Sequence, residues 1–167
     1  MDACKMQYAV LSGTYVLKLV GDVRVPTCTA LESFVDQRIK EDEGLRAVLI
    51  DLTTTEAIDS TALGLLARIA VILKQRGLGR PVLLCINPDI ERILLSMGFD
   101  KVFRMLRTSS ALSSSLEELP IIGDISEDAV TQQVIDAHRT LMSLNESNTE
   151  AFRSLVDALE SEKRCRD

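Results

Sequence analysis

The stretch that most restricts the fold runs from Arg46 to Gln75, where an apolar β-branched burst, Ala47-Val48-Leu49-Ile50, leads through a polar junction into an almost wholly apolar helix candidate. Leu65 to Leu73 holds a single charged residue, Arg68, too few polar positions for a helix lying on a surface, so this helix must be covered around most of its circumference. A buried strand feeding a buried helix points to a sheet with helices packed on it. The junction, Asp51-Leu52-Thr53-Thr54-Thr55-Glu56-Ala57-Ile58-Asp59-Ser60-Thr61-Ala62-Leu63-Gly64, reads as a short exposed link. Polar residues held between rigid elements are a frequent place for function.

The flanking segments repeat the alternation. Met6 to Leu11 and Thr14 to Val20 are β-rich runs separated by Ser12-Gly13, which predicts a hairpin, and Pro26 marks the exit from the second strand. Thr29 with Glu32 forms a capping-box pattern, and Leu31, Phe34, Val35 and Ile39 supply one helical stripe that runs to Glu41 and ends near Gly44. The apolar helix is predicted over Ser60–Gln75, with Gly77 and Gly79 as breakers. Pro81 to Ile86 is a further strand, and Asn87-Pro88-Asp89 is a helix start with a cap, a first-turn proline and an acid for the dipole. Ile90, Ile93, Leu94 and Met97 form its stripe, Gly98 ends it, and Val102–Leu106 is a last short strand. The order ββαβαβαβ calls for an α/β fold with a mostly parallel sheet, flanking helices and right-handed crossovers.

After Leu106 the composition changes. Residues 1–106 form the body; residues 107–126, rich in Ser and Thr, read as a linker or a short further helix; residues 127–167 read as an acidic helical extension. Val130, Val134, Ala137, Leu141 and Leu144 recur at heptad-like spacing, and two arrangements follow. One is a single long helix with Asn148 at a core position. The other, preferred, breaks at Leu144-Asn145, uses Ser147 and Glu150 as a second capping box, and buries Phe152, Leu155, Val156 and Leu159. In either case the apolar stripe requires a partner: the body, a second copy or another protein.

Charge and composition exclude several functions. The body carries 13 Lys/Arg and 13 Asp/Glu, the remainder 6 and 12, so the net charge of −6 lies entirely in the C-terminal third. With no basic cluster, binding to nucleic acid has no electrostatic source. Cys4, Cys28, Cys85 and Cys165 have no paired spacing and fit reduced thiols of a cytoplasmic protein. The N-terminus lacks a basic-then-apolar leader and Arg68 interrupts the longest apolar run, so neither export nor membrane insertion is expected. An enzyme is not expected either: a nucleophilic Ser60 would need a base, the only histidine is His138 in the tail, and no G-x-S-x-G elbow is present. Asp51, Asp59 and Thr61 are too few and too ordinary a set of oxygens to imply a metal, and no cofactor is expected. On spacing alone, Asp59 or Ser60 is an N-cap.

Asp51-Leu52-Thr53 followed by Ile58-Asp59-Ser60-Thr61-Ala62-Leu63-Gly64 resembles the signature of the STAS domain of bacterial anti-sigma factor antagonists, an apolar residue followed by D-S-S/T-G-L-G. The similarity spans about Met6 to Leu106. It implies a STAS-like sheet and a regulatory phosphorylation site at Ser60, the serine after the motif aspartate. It also implies a partner surface drawn from Asp22, Arg24, Asp59, Thr61, Ala62 and Gly64. The implied partners are an anti-sigma factor with serine-kinase activity and a PP2C-type phosphatase, with ATP and Mg²⁺ belonging to the kinase. The extension adds self-association or a further partner. Two positions depart from the pattern: Ala62 replaces the usual glycine, and Gly21-Asp22-Val23-Arg24 replaces a G-E-L-D loop, which puts the partner contacts of that loop in question. Two other functions fit the resemblance less closely: an accessory subunit of a membrane transporter ATPase, and a domain that takes a small anion or nucleotide at the helix start.

Overall fold

The computed structural model describes residues 4–107, 117–119 and 126–166, and within them the sheet is organised about its longest strand. β1 (Lys5–Leu11) and β2 (Thr14–Val23) form an antiparallel hairpin in which Lys5 faces Val20 and Leu11 faces Thr14. Its two-residue turn has positive φ at both Ser12 (49°) and Gly13 (84°), the hand of turn whose twist matches that of the strands. A side chain at Gly13 would also strike the carbonyl of Gly44, so glycine is needed there for space as well as for φ.

β2 pairs in parallel with β3 (Ala47–Asp51) over its first half. At Gly21, where φ is 85°, its register breaks and it pairs instead with β4 (Thr55–Ile58). β5 (Val82–Leu84) and β6 (Arg104–Leu106) extend the sheet beyond β3 in parallel, and β7 (Glu117–Leu119) adds antiparallel to β1, giving the order β6-β5-β3-β2-β1-β7. The crossovers are α1 (Val25–Phe34), which runs on into a π-helical turn at Val35–Ile39, α2 (Ser60–Gln75) and α3 (Pro88–Ser96). A C-terminal pair, α4 (Glu127–Leu144) and α5 (Glu146–Arg166), completes the chain. The mostly parallel α/β sheet with flanking helices and a helical extension is the fold the alternation predicted.

Four local features differ from the sequence reading. The junction after β3 is not a plain exposed link, because Thr55–Ile58 forms β4. Thr55 is buried there with its hydroxyl donating to the Leu19 carbonyl (2.7 Å), so a polar residue enters the core with its hydrogen bond made. α1 begins at Val25 rather than Thr29, with Pro26 in its first turn, and no side chain of its own N-cap closes it. The last strand starts at Arg104, since Phe99–Lys101 winds into a 3₁₀ turn that buries Phe99 against Phe103. Within the stretch read as a linker, Glu117–Leu119 is a strand, and the rest of residues 108–125 lies outside the described residues.

The extension has the two-helix form, but of the residues expected inside α5 only Val156 is fully buried, Phe152 and Leu159 are half-buried, and Leu155 is exposed. Asn145 is extended (φ −167°, ψ 166°), and its side-chain oxygen accepts from the amide of Asn148, so Asn145 caps α5 where Ser147 was expected to. The side-chain amide of Asn148, 2% exposed, donates to the carbonyls of Met97 and Leu141, each at 2.9 Å. Thr149 donates to the Met142 carbonyl. Helices leave their last carbonyls unpaired; here Asn148 satisfies those at the ends of both α3 and α4, which ties the extension to the body. The apolar stripe of α4 packs on α2, so its partner in this structure is the chain's own body.

Asn148→Ala is expected to lower stability by about 1–3 kcal/mol in urea titration with an unchanged m-value. Asn148→Asp should cost at least as much, because a carboxylate has no proton to give to either carbonyl.

Candidate functional site

The end of β2, the end of β4 and the first turns of α1 and α2 converge on Asp59. Its backbone amide donates to the Val23 carbonyl (3.0 Å), which closes the β2–β4 ladder. One carboxylate oxygen accepts from the Ala62 amide (2.9 Å) and caps α2; the other accepts from the Val25 amide (2.8 Å), the first residue of α1. A single carboxylate therefore serves two helix starts, and both helix dipoles favour its negative charge. This accounts for the missing cap of α1: its donor is satisfied from 34 residues away. The spacing of Asp59 and Ala62 made the α2 cap legible, whereas nothing local indicated the second bond.

Beside this point Arg24 donates to Asp22 (2.6 Å), and that bond together with the carboxylate's charge holds the guanidinium above its ordinary range. The pair is open to solvent on the arginine side, so the charge of Asp22 is met by Arg24. Cys28, wholly buried in α1, donates its thiol to the Arg24 carbonyl. Burial, and after it the charge of Asp59, pushes this thiol up, which leaves it neutral and unreactive.

Ser60 is the first residue of α2, and its hydroxyl oxygen lies 2.8 Å from Nε2 of His138 on α4. Nδ1 of the same ring is 2.7 Å from the Val134 carbonyl, which can only accept, so in the neutral ring the proton sits on Nδ1 and Nε2 accepts from the Ser60 hydroxyl. His138 is 2% exposed and rests edge-on against Phe152. The histidine set aside as belonging to the tail is therefore at the serine, 78 residues away in sequence. The only hint of this in the sequence was the apolar stripe through Val134, Ala137 and Leu141, which required α4 to pack on some surface.

α4 occupies much of the surface expected to meet a partner. Gly64 faces the backbone of Ala137 so closely that a Cβ on Gly64 would fall on the Ala137 carbonyl. The cleft left between the helices there, lined by Glu32, Gly64, Arg68, Gln133 and Ala137 among others, is about 20 Å³, room for one water. Thr61 and Ala62 are buried, Ala62 within the main core, while Asp22, Asp59 and Ser60 are half-buried and Arg24 is exposed. The structure thus brings Asp22, Arg24, Asp59 and Ser60 together near the surface and leaves Thr61, Ala62 and Gly64 beneath it. Asp51, considered with Asp59 as a metal ligand, instead accepts from the amide and hydroxyl of Thr53.

A family model of the STAS domain matches residues 5–117, and the chain belongs to the STAS-domain family. No curated sequence is similar enough to the chain to match it. Among solved structures it is similar to a Thermotoga maritima protein provisionally assigned as an anti-sigma factor antagonist (20% identity, TM-score 0.55, covering 63% of this chain and 88% of that one). It is also similar to an anti-sigma factor antagonist from Mycobacterium paratuberculosis (24%, 0.52, 64% and 88%). The Bacillus protein SpoIIAA, solved in its phosphorylated form, matches at 18% identity and a TM-score of 0.53, covering 65% of this chain and 93% of that one. At these identities the likeness is one of fold, and the family match ends before α4 begins.

Asp59→Ala is expected to lose both helix-start bonds and about 1–3 kcal/mol of stability in chemical denaturation. Asp59→Asn, which keeps one acceptor, should fall between that variant and the parent.

Proposed function

We propose that this chain is a non-enzymatic partner-switching regulator, an anti-sigma factor antagonist that binds an anti-sigma factor with serine-kinase activity while Ser60 is bare and releases it once Ser60 is phosphorylated. The observation that carries this reading is the place of Ser60: the first residue of α2, directly after the capping Asp59, in a chain of the STAS family. The likeness in fold to SpoIIAA, which has been solved in unphosphorylated and phosphorylated forms, supports it.

In the transfer, Ser60 Oγ bonds to the γ-phosphorus of ATP held by the kinase, ADP departs with the bridging oxygen, and the hydroxyl proton passes to a base. The product carries about −1.5 to −2 charges and three strong acceptors. The start of α2 favours that charge through its dipole, while Asp59 opposes it. A partner closing over the phosphate would have to bury a dianion without a counter-charge, which disfavours binding without refolding the domain. A PP2C-type phosphatase resets the switch, and the whole cycle is placed in the cytoplasm. No helix among the described residues is long and apolar enough to cross a membrane.

Phosphopeptide mass spectrometry on protein isolated from its own cells should find phosphate on Ser60 and none in the same peptide of Ser60→Ala. Against the purified anti-sigma factor, Ser60→Asp and Ser60→Glu should bind roughly a hundredfold more weakly than Ser60→Ala, about 2.7 kcal/mol. Stoichiometric phosphorylation of Ser60→Ala, or binding indifferent to both kinds of change, would falsify the assignment.

A further inference from the structure

We propose that α4 is a built-in competitor for the face of α2 that carries Ser60, so that a kinase or a protein partner reaches this face only after α4 has left it. The inference rests on the reading of Ser60 as the switch and adds its regulation. In the closed form the Ser60 hydroxyl is committed to Nε2 of buried His138, and Ala137 sits over Gly64 with space for one water beside it. A phosphoserine has lost the proton that Nε2 accepts, so the bond that holds Ser60 to the neutral ring in the closed form is lost on modification. Phosphorylation therefore removes the hydrogen bond by which α4 engages Ser60 in the closed form.

The contact between α4 and the body is mixed in kind, apolar at Leu141 and polar nearer the start of α4. Before Leu141, the contact is made of small and polar residues: Gly64 against Ala137, Ser60 against His138, and Gln133 of α4 donating to Glu32 of α1 at 2.6 Å. The side-chain oxygen of Gln133 is buried with no hydrogen-bond partner among the described residues, a desolvation cost that the closed form carries and water would relieve on opening. Buried polar pairs of this sort offset less than an apolar core would. The same geometry describes the competing partner: a helix that crosses α2 with a small residue over Gly64, in the seat of Ala137. Asn148 holds the end of α4 at Leu141, one turn beyond His138, so opening at Ser60 frees the part of α4 that precedes that anchor.

The test uses the full chain with Ser60→Cys, labelled by N-ethylmaleimide under native conditions, with and without Ala137→Arg. Exposed Cys165 serves as the reference for a free thiol, and buried Cys28 and Cys85 report unfolding. The thiol introduced at position 60 should label about tenfold faster when Ala137 is replaced, the change given by roughly 1.4 kcal/mol of lost closure, while Cys28 and Cys85 stay protected. Labelling of the introduced thiol as fast as Cys165 with Ala137 intact, or an unchanged rate in Ala137→Arg, overturns the proposal. If Ala137→Arg exposes Cys28 and Cys85, the milder Ala137→Leu carries the same comparison with the same criteria. In parallel, phosphate on Ser60 is measured in cells that make the parent and Ala137→Arg with serine retained at 60, where occupancy should rise. Faster labelling with no phosphate in either chain keeps α4 as the cover and removes the switch; no faster labelling removes the cover whatever the phosphate does.

Discussion

The carboxylate of Asp59 is the interaction on which the arrangement depends. Two helices begin at the same point of the sheet, and each brings unpaired amides and the positive end of a dipole to it. One oxygen closes α2 through Ala62 and the other closes α1 through Val25, while the backbone of the same residue continues the β2–β4 pairing. With both oxygens committed, the position of the next residue is fixed: Ser60 is the first residue of α2, and its hydroxyl meets His138 of α4. The geometry that makes Ser60 a candidate for modification is thus a by-product of satisfying two helix ends with one acid.

α2 sets the second constraint. Its burial runs almost continuously from Thr61 to Leu73, and its buried residues share a core with Leu17, Leu19, Ile50 and Leu83 of the sheet. One side of such a helix still has to be closed, and α4 closes it with Ala137, His138 and Leu141. Close approach is possible because position 64 has no side chain. The extension is therefore part of the same packing problem as the body, with Asn148 linking the ends of α3 and α4, and it lies on the surface through which the proposed switch would act. Fold and regulation are coupled because one helix face is asked to serve both.

The alternation of strands and helices, the limits of α2, the Asn87-Pro88 start of α3 and its end at Gly98 were legible because each depends on neighbours within a turn or two: periodicity, caps and a left-handed glycine. β4 was not legible, since Thr55-Glu56-Ala57-Ile58 becomes a strand only because the far half of β2 offers it an edge and Leu19 accepts the Thr55 hydroxyl. The start of α1 was misplaced for a similar reason. Its first amide is satisfied by Asp59 across the fold, so no capping residue was needed in its own segment.

The same division holds at the site. The sequence by itself determined that a serine follows an aspartate at the start of a buried helix, because helix-start chemistry and apolar patterning are local properties of the chain. Tertiary structure alone decided what that serine meets: His138 at hydrogen-bond distance, Ala137 over Gly64, and Thr61 and Ala62 withdrawn from the surface. Contacts between residues so far apart in sequence depend on which faces of two helices come to rest together. The stripe on α4 announced that it would pack, but not on what.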